Sequence, residues 1–112
     1  VEILAVGLSL DQVQAHLCEC GYSHTDVAAF ARRFRLCPEV WKEFERLTLR
    51  LISERKRAGA IDILGRVRWE RQIEQSLDFK CNNTDAPYLA RVFALKYPQH
   101  RSFFEFRQVG RD

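Results

Sequence analysis

Apolar positions recur at helical spacing in five stretches of the chain, with turn residues between them. In the first stretch Leu10, Val13 and Leu17 share one face, and Ser9 with Gln12 has the spacing of a capping box. Gly21 suits the position just past such a helix, because glycine enters the left-handed region without a Cβ clash. Ser23 and Asp26 repeat the capping spacing and open a second helix through about Phe34, with Val27, Phe30, Ala31 and Phe34 facing inward. After the break "RLCP", Pro38 stands in the first turn of a third helix, where its missing N–H has no helical partner to lose. Val40, Trp41, Phe44, Leu47, Leu51 and Ile52 form the stripe of this longest helix, which Gly59 ends. A fourth helix over about 60–76 sets Ile61, Leu64, Trp69, Ile73 and Leu77 inward, with Arg66, Arg68 and Arg71 between them.

The period then changes. In "DFKCNN", Phe79 and Cys81 alternate and predict a brief strand, and Asn82 and Asn83 turn the chain because both tolerate positive φ. Thr84 or Asp85 caps a fifth helix with Pro87 in its first turn. Leu89, Val92, Phe93 and Tyr97 make its buried side, and Pro98 stops it. "SFFEFR" predicts a return strand beside residues 79–81, and "VEILAVGLSL" a short strand or packed N-terminal arm. The expected fold is mainly α, a compact bundle of about five helices with a short two-stranded ribbon near the C-terminus. It forms a single domain over residues 1–112.

Composition changes this picture little. With 46% hydrophobic and 29% charged residues the chain has globular usage, which argues against disorder. No apolar run reaches the roughly 18 residues of a membrane span, and the apolar opening lacks the basic flank of a signal peptide. A cytoplasmic location is expected, and the four cysteines (18, 20, 37 and 81) are expected as free thiols. The chain opens on Val1 rather than Met, which suggests processing or an origin within a longer gene product.

The net charge of +3 is unevenly spread. Residues 1–24 hold Glu2, Asp11 and Glu19 and no Lys or Arg, whereas residues 25–57 hold nine bases and five acids. The nine bases are Arg32, Arg33, Arg35, Lys42, Arg46, Arg50, Arg55, Lys56 and Arg57, the candidates for nucleic-acid contact. Arg46 and Arg50 lie four apart on one helix face, which suits backbone phosphates rather than base edges. Within this segment "AFARRFRLCPEVWKEFERL" resembles a helix-turn-helix, with Ala31 in the first helix and Phe34 and Leu36 at the turn. Cys37, Pro38, Trp41 and Phe44 take the small, proline and apolar places that follow. Arg35 departs from the motif's glycine, and Glu39, Glu43 and Glu45 would bring carboxylates toward phosphate. Glu43 is also spaced to face Arg46, and Glu54 to face Arg50. A helical corner used for packing is therefore favoured, with a DNA-binding regulator as the alternative.

Catalytic and metal signatures are weaker. His16, Cys18, Cys20 and His24 are zinc-ligand types, but Cys-x-Cys is tighter than the usual gap and no second pair follows at finger distance. Half-buried thiols near a helix end are expected instead, and no metal. The chain has no Gly-rich phosphate loop, Gly-x-Ser-x-Gly or His-Glu-x-x-His, and Asp62, Glu70 and Glu74 sit among arginines as a salt-bridged surface. Neither catalysis nor a cofactor is expected. The last third is rich in aromatic residues, and beside arginines these are the types enriched at protein interfaces. Tyr88, Arg91, Arg101, Phe103, Phe104 and Arg107 are accordingly the candidates for binding a protein partner.

"GRVRWERQIE", "DFKCNNTDAPYLARVF" and "YPQHRSFFEFR" resemble a family of small, uncharacterised bacterial and phage proteins. The resemblance covers about residues 44–107, through Arg-x-Arg-Trp-Glu, Phe-Lys-x-Asn-Asn and Ala-Pro-Tyr-x-Ala-Arg. It implies a setting in phages and mobile elements, and a shared surface or structural knot including Trp69, Asn82, Asn83, Tyr88 and Arg91. With that setting, the first functional expectation is a non-enzymatic protein that binds another protein. An inhibitor of a host defence complex, of the anti-CRISPR type, is one such protein.

Overall fold

The structure, a computed structural model, describes residues 2–75 and 83–106. Among them are five α-helices: α1 (Leu10–Glu19), α2 (His24–Leu36), α3 (Pro38–Ser53), α4 (Ala60–Gln75) and α5 (Ala86–Lys96). Short 3-10 turns, Asn83–Asp85 and Pro98–His100, flank α5. Each of α1 to α4 packs on its neighbour in sequence, and α5 lies against α1, α3 and α4. The fold is the expected mainly helical bundle.

Local chemistry explains the helix ends. Ser9 Oγ accepts from the Gln12 amide and the Gln12 side chain accepts from the Ser9 amide, a complete capping box. Ser23 accepts from the Asp26 amide without the reciprocal bond. Gly21, at φ +110°, donates to the Cys18 carbonyl while Tyr22 donates to that of Leu17, the paired bonds of a Schellman end. The N-terminal arm folds back at Gly7 (φ +87°): Leu4 donates to the Leu8 carbonyl and Ile3 bridges Ser9. Leu4 and Val6 are thereby buried in the main core.

α3 stops at Ser53, earlier than Gly59 suggested. Arg55 takes the left-handed conformation (φ +57°) and donates to the Ile52 carbonyl, and Lys56 donates to that of Leu51. An arginine thus fills the place that glycine takes after α1. Arg55→Gly is expected to raise stability by about 1 kcal/mol, since a non-glycine residue is disfavoured there by roughly that amount. Urea unfolding of the two proteins checks this, and an unchanged or lower midpoint would count against it.

The inward faces of α1 and α2 match the apolar periodicity, with Val13, Leu17, Val27, Phe30, Ala31 and Phe34 buried. On α3, Trp41 and Phe44 are buried, while Val40, Leu47, Leu51 and Ile52 are half-buried against the core. Thr48 is buried too, its hydroxyl donating to the Phe44 carbonyl one turn back. α4 differs from expectation. Its buried residues are Ile63, Leu64 and Val67, whereas Ile61 and Trp69 are 58% and 62% exposed. At 3.6 residues per turn the two sets lie on stripes roughly 150° apart. Both are apolar, and contact with α3 and α5 selects the first.

α5 is buried nearly all round: Ala86, Tyr88, Leu89, Ala90, Arg91, Val92 and Phe93 are all inside. Pro87 stands in its first turn as expected, but Asp85 makes no side-chain cap and pairs instead with Arg33. "SFFEFR" forms no strand over residues 102–106. Phe104 enters the core, 5.8 Å from the ring of Phe44 and 5.9 Å from that of Phe93. Phe103 stays half-buried, edge-on to it. Successive aromatics on one packed bend satisfy burial without ladder partners. The strand expected at residues 79–81, the turn at Asn82, Leu77 and Arg107 fall outside the described residues, as does the side chain of Ile73.

Candidate functional site

Five of the nine bases of the basic segment pair with carboxylates of the same chain. Arg33 grips Asp85 through Nε (3.0 and 3.2 Å to the two oxygens) and Nη2 (2.6 Å), tying α2 to the start of α5. That pairing raises the Arg33 pKa, the hydrogen bond outweighing partial burial. Arg35 pairs with Glu2 (2.9 Å), Arg46 with Glu43 (2.8 Å), and Glu54 with both Arg50 (2.9 Å) and Lys56 (3.1 Å). Arg57 donates to the carbonyls of Ser102 and Phe103, both at 3.4 Å, and so helps seat the C-terminal bend. Arg32 and Lys42 remain exposed on α2 and α3. α2 also runs through Leu36, so the places expected as a turn are helical and Cys37 alone joins α2 to α3. A helix-turn-helix joins its helices through three or four residues.

The protein-binding candidates divide by burial. Tyr88, Arg91 and Phe104 lie in the interior, Phe103 is half-buried, Arg101 is exposed, and Arg107 is outside the described residues. Tyr88 stacks on Phe30 (4.8 Å) and lies 4.4 Å from Tyr22. The Arg91 guanidinium sits between the rings of Tyr22 (5.2 Å) and Phe106 (5.1 Å), and Nη1 donates to the Pro87 carbonyl at 3.2 Å. Tyr88 and Arg91 build the inside of the molecule because α5, packed against α1, α3 and α4, draws inward even its large polar-tipped residues, and Phe104 joins them from the C-terminal bend.

Beside them lies a groove of about 900 Å3 between the start of α4, α5 and residues 103–106. Ile61, Pro87, Phe103 and Phe106 supply apolar lining, with Arg57, Asp62 and Glu105 around them. Phe106 is 42% exposed. Sequence periodicity missed Ile61 and Phe106 as surface residues. For Ile61 the available signal was its position two residues beyond Gly59, at the exposed opening of a helix.

The four zinc-type residues form two separate pairs: Cys18 Sγ is 3.5 Å from His24 Nδ1, and Cys20 Sγ is 3.8 Å from His16 Nε2. Among the described residues no three His, Cys, Asp or Glu side chains gather as a metal site. Cys18, Cys20 and Cys37 are free thiols. No described helix is long and apolar enough to cross a membrane.

Lys96 and the Tyr97 hydroxyl both donate to Glu45 Oε2, fastening α5 to α3. Burial is the largest single influence on the Lys96 ammonium and lowers its pKa. The hydrogen bond and charge of Glu45, with a smaller contribution from Tyr97, together outweigh it and raise the pKa. All three tyrosines are raised from the ordinary 10.0: Tyr22 and Tyr88 by burial, and Tyr97 by burial and then its bond to Glu45. Raised pKa values mean the folded state holds more protons than the unfolded state as pH rises past 10, so stability is full below that pH and falls above it. Tyrosinate absorbance in the native protein is expected to rise later than in the urea-unfolded chain. Coincident curves would contradict this.

Compared with protein-family models, curated proteins and solved structures, the chain gives no match in any of the three.

Proposed function

We propose that this chain acts without catalysis, by binding another protein in the groove between α4, α5 and the C-terminal bend. Its setting is a phage or mobile element, and its action is inhibition of a host defence complex, of the anti-CRISPR type. The observation that carries the reading is a contrast of surfaces. Ile61 and Phe106 stand exposed at a groove large enough for partner side chains, while five of the nine cations of residues 25–57 are held by carboxylates of the same chain. Apolar anchors in a concave patch with a charged rim are the residue pattern of protein interfaces. The setting rests on the resemblance of residues 44–107.

The test is expression in a bacterial host whose CRISPR interference blocks a phage. The protein is expected to restore plaque formation, and Ile61→Glu to remove the effect. Ile61 is exposed at the opening of α4, where an acid also suits the helix dipole, so the variant's stability is expected to stay within about 0.5 kcal/mol. Duplex-DNA binding by fluorescence anisotropy provides the opposing outcome. Micromolar binding that falls steeply with salt, and is lost in the Arg46→Glu, Arg50→Glu double variant, would establish the DNA-binding alternative instead.

A further inference from the structure

The outer stripe of α4 carries a glycine that the fold itself does not call for. Ile61 and Trp69 stand exposed one turn before and one turn after Gly65, on the same side of the helix. Gly65 is helical, not at positive φ, and a Cβ added there would meet nothing within 4 Å. Neither backbone conformation nor internal packing therefore requires a residue that is the poorest helix former after proline. A gap between two exposed apolar side chains is the shape that receives a second helix at short distance.

We propose that α4 packs antiparallel against α4 of a second copy of this chain, with the two-fold axis passing through Gly65. Such an interface is self-complementary: a residue some places before Gly65 meets the residue of the second copy the same number of places after it. The order of residues along α4 suits this pairing. Ile61 of each copy meets Trp69 of the other, and Asp62 of each meets Arg68 of the other. At 3.6 residues per turn, Ile61 and Trp69 lie roughly 40° to either side of Gly65, and Asp62 and Arg68 roughly 60°. The apolar pair thus forms the seam and the opposite charges flank it, so charge complementarity supports the same register. The bare backbone at Gly65 lets the two axes approach toward the lower end of the usual range of roughly 8–10 Å. Ile63, Leu64 and Val67 stay on the core side, and pairing needs no rearrangement within either copy. Ile61 also lines the α4–α5 groove, but Gly65 and Trp69 do not, so variants at these two positions test self-association apart from the function proposed for the groove.

Sedimentation equilibrium of the full chain over a range of concentrations is the first test, and the average mass is expected to rise from one chain toward two. Trp69→Glu is expected to weaken association by about thirtyfold, the loss of an interface tryptophan. Its fold is checked by circular dichroism, and it is expected to be kept because Trp69 is exposed. Gly65→Cys tests the register, since the two-fold axis sets its thiol against that of the second copy, within reach of a disulfide. Treated with diamide, this variant is expected to form a covalent dimer faster than Lys42→Cys, which places an exposed thiol on α3 instead. Both rates are read above the background of the unsubstituted chain and its own free thiols. A single-chain mass at every concentration, association undiminished in Trp69→Glu, or cross-linking of Gly65→Cys no faster than that of Lys42→Cys overturns the proposal.

Discussion

Phe93→Ala is expected to lower stability by about 3–5 kcal/mol, the range for removing a fully buried aromatic side chain. Phe93 is completely enclosed on α5, the helix that meets α1, α3 and α4. Its ring lies 4.8 Å from Tyr97 and at right angles to Phe104, which in turn stacks on Phe44 of α3. Truncation therefore opens a void where α3, α5 and the C-terminal bend converge, and no single side chain there can move to fill it without giving up its own contacts. For a domain of this size the loss corresponds to a fall of roughly 15–30 °C in melting temperature. It is also a large part of the 5–15 kcal/mol typical of total stability. Calorimetry provides the check, and a fall of only a few degrees would show that the site collapses freely.

Arg91→Ala is expected to cost about 2–3 kcal/mol, and Arg91→Lys to recover less than half of it. The guanidinium carbon lies over two rings, 5.2 Å from the centre of Tyr22, just past α1, and 5.1 Å from that of Phe106 in the C-terminal segment, and Nη1 donates to the Pro87 carbonyl. Each partly desolvated cation–π contact contributes about 1 kcal/mol, and the remainder comes from the packed stem and the charged hydrogen bond. Lysine keeps the charge but has no flat surface to lie between two rings. Denaturant unfolding measures the loss, and nuclear Overhauser contacts between Tyr22 and Phe106 report whether the clamp persists. If lysine proves as stable as arginine, the stacking contributes nothing and the charge alone matters.

Both predictions concern residues whose place depends on the whole fold. The sequence marks Phe93 as buried, because Leu89, Val92 and Phe93 recur at helical spacing and α5 presents that face inward. It marks Arg91 as an interface residue, because an arginine among aromatics is the composition of a binding surface. The structure encloses Arg91, since α5 is covered on several sides and its side chain lies between two rings contributed from distant parts of the chain. The two stripes of α4 show the same limit. Ile61 and Trp69 are as apolar as Ile63 and Val67, and only the position of α3 and α5 leaves the first pair outside. The Arg46–Glu43 and Arg50–Glu54 pairs were legible because both partners lie on one helix three or four residues apart. The Arg33–Asp85 pair was not, because its partners are separated by 52 residues.

The sequence by itself determined the five helices, the Ser9 and Ser23 caps and most of the stops, though not the end of α3 at Ser53 or the missing side-chain cap of α5. Ser9, Gly21, Ser23, Pro38, Pro87 and Pro98 act through backbone geometry and hydrogen bonds that reach only a few residues, so their effects are visible in one dimension. Tertiary structure alone decided which of two apolar stripes on α4 is buried, that residues 102–106 pack as a bend instead of a strand, and that Arg33 and Arg35 pair with Asp85 and Glu2. It also placed the groove beside Ile61 and left the Trp41 indole facing no acceptor. Burial and ion pairing depend on what stands opposite a residue in space, and periodicity along the chain carries no record of that.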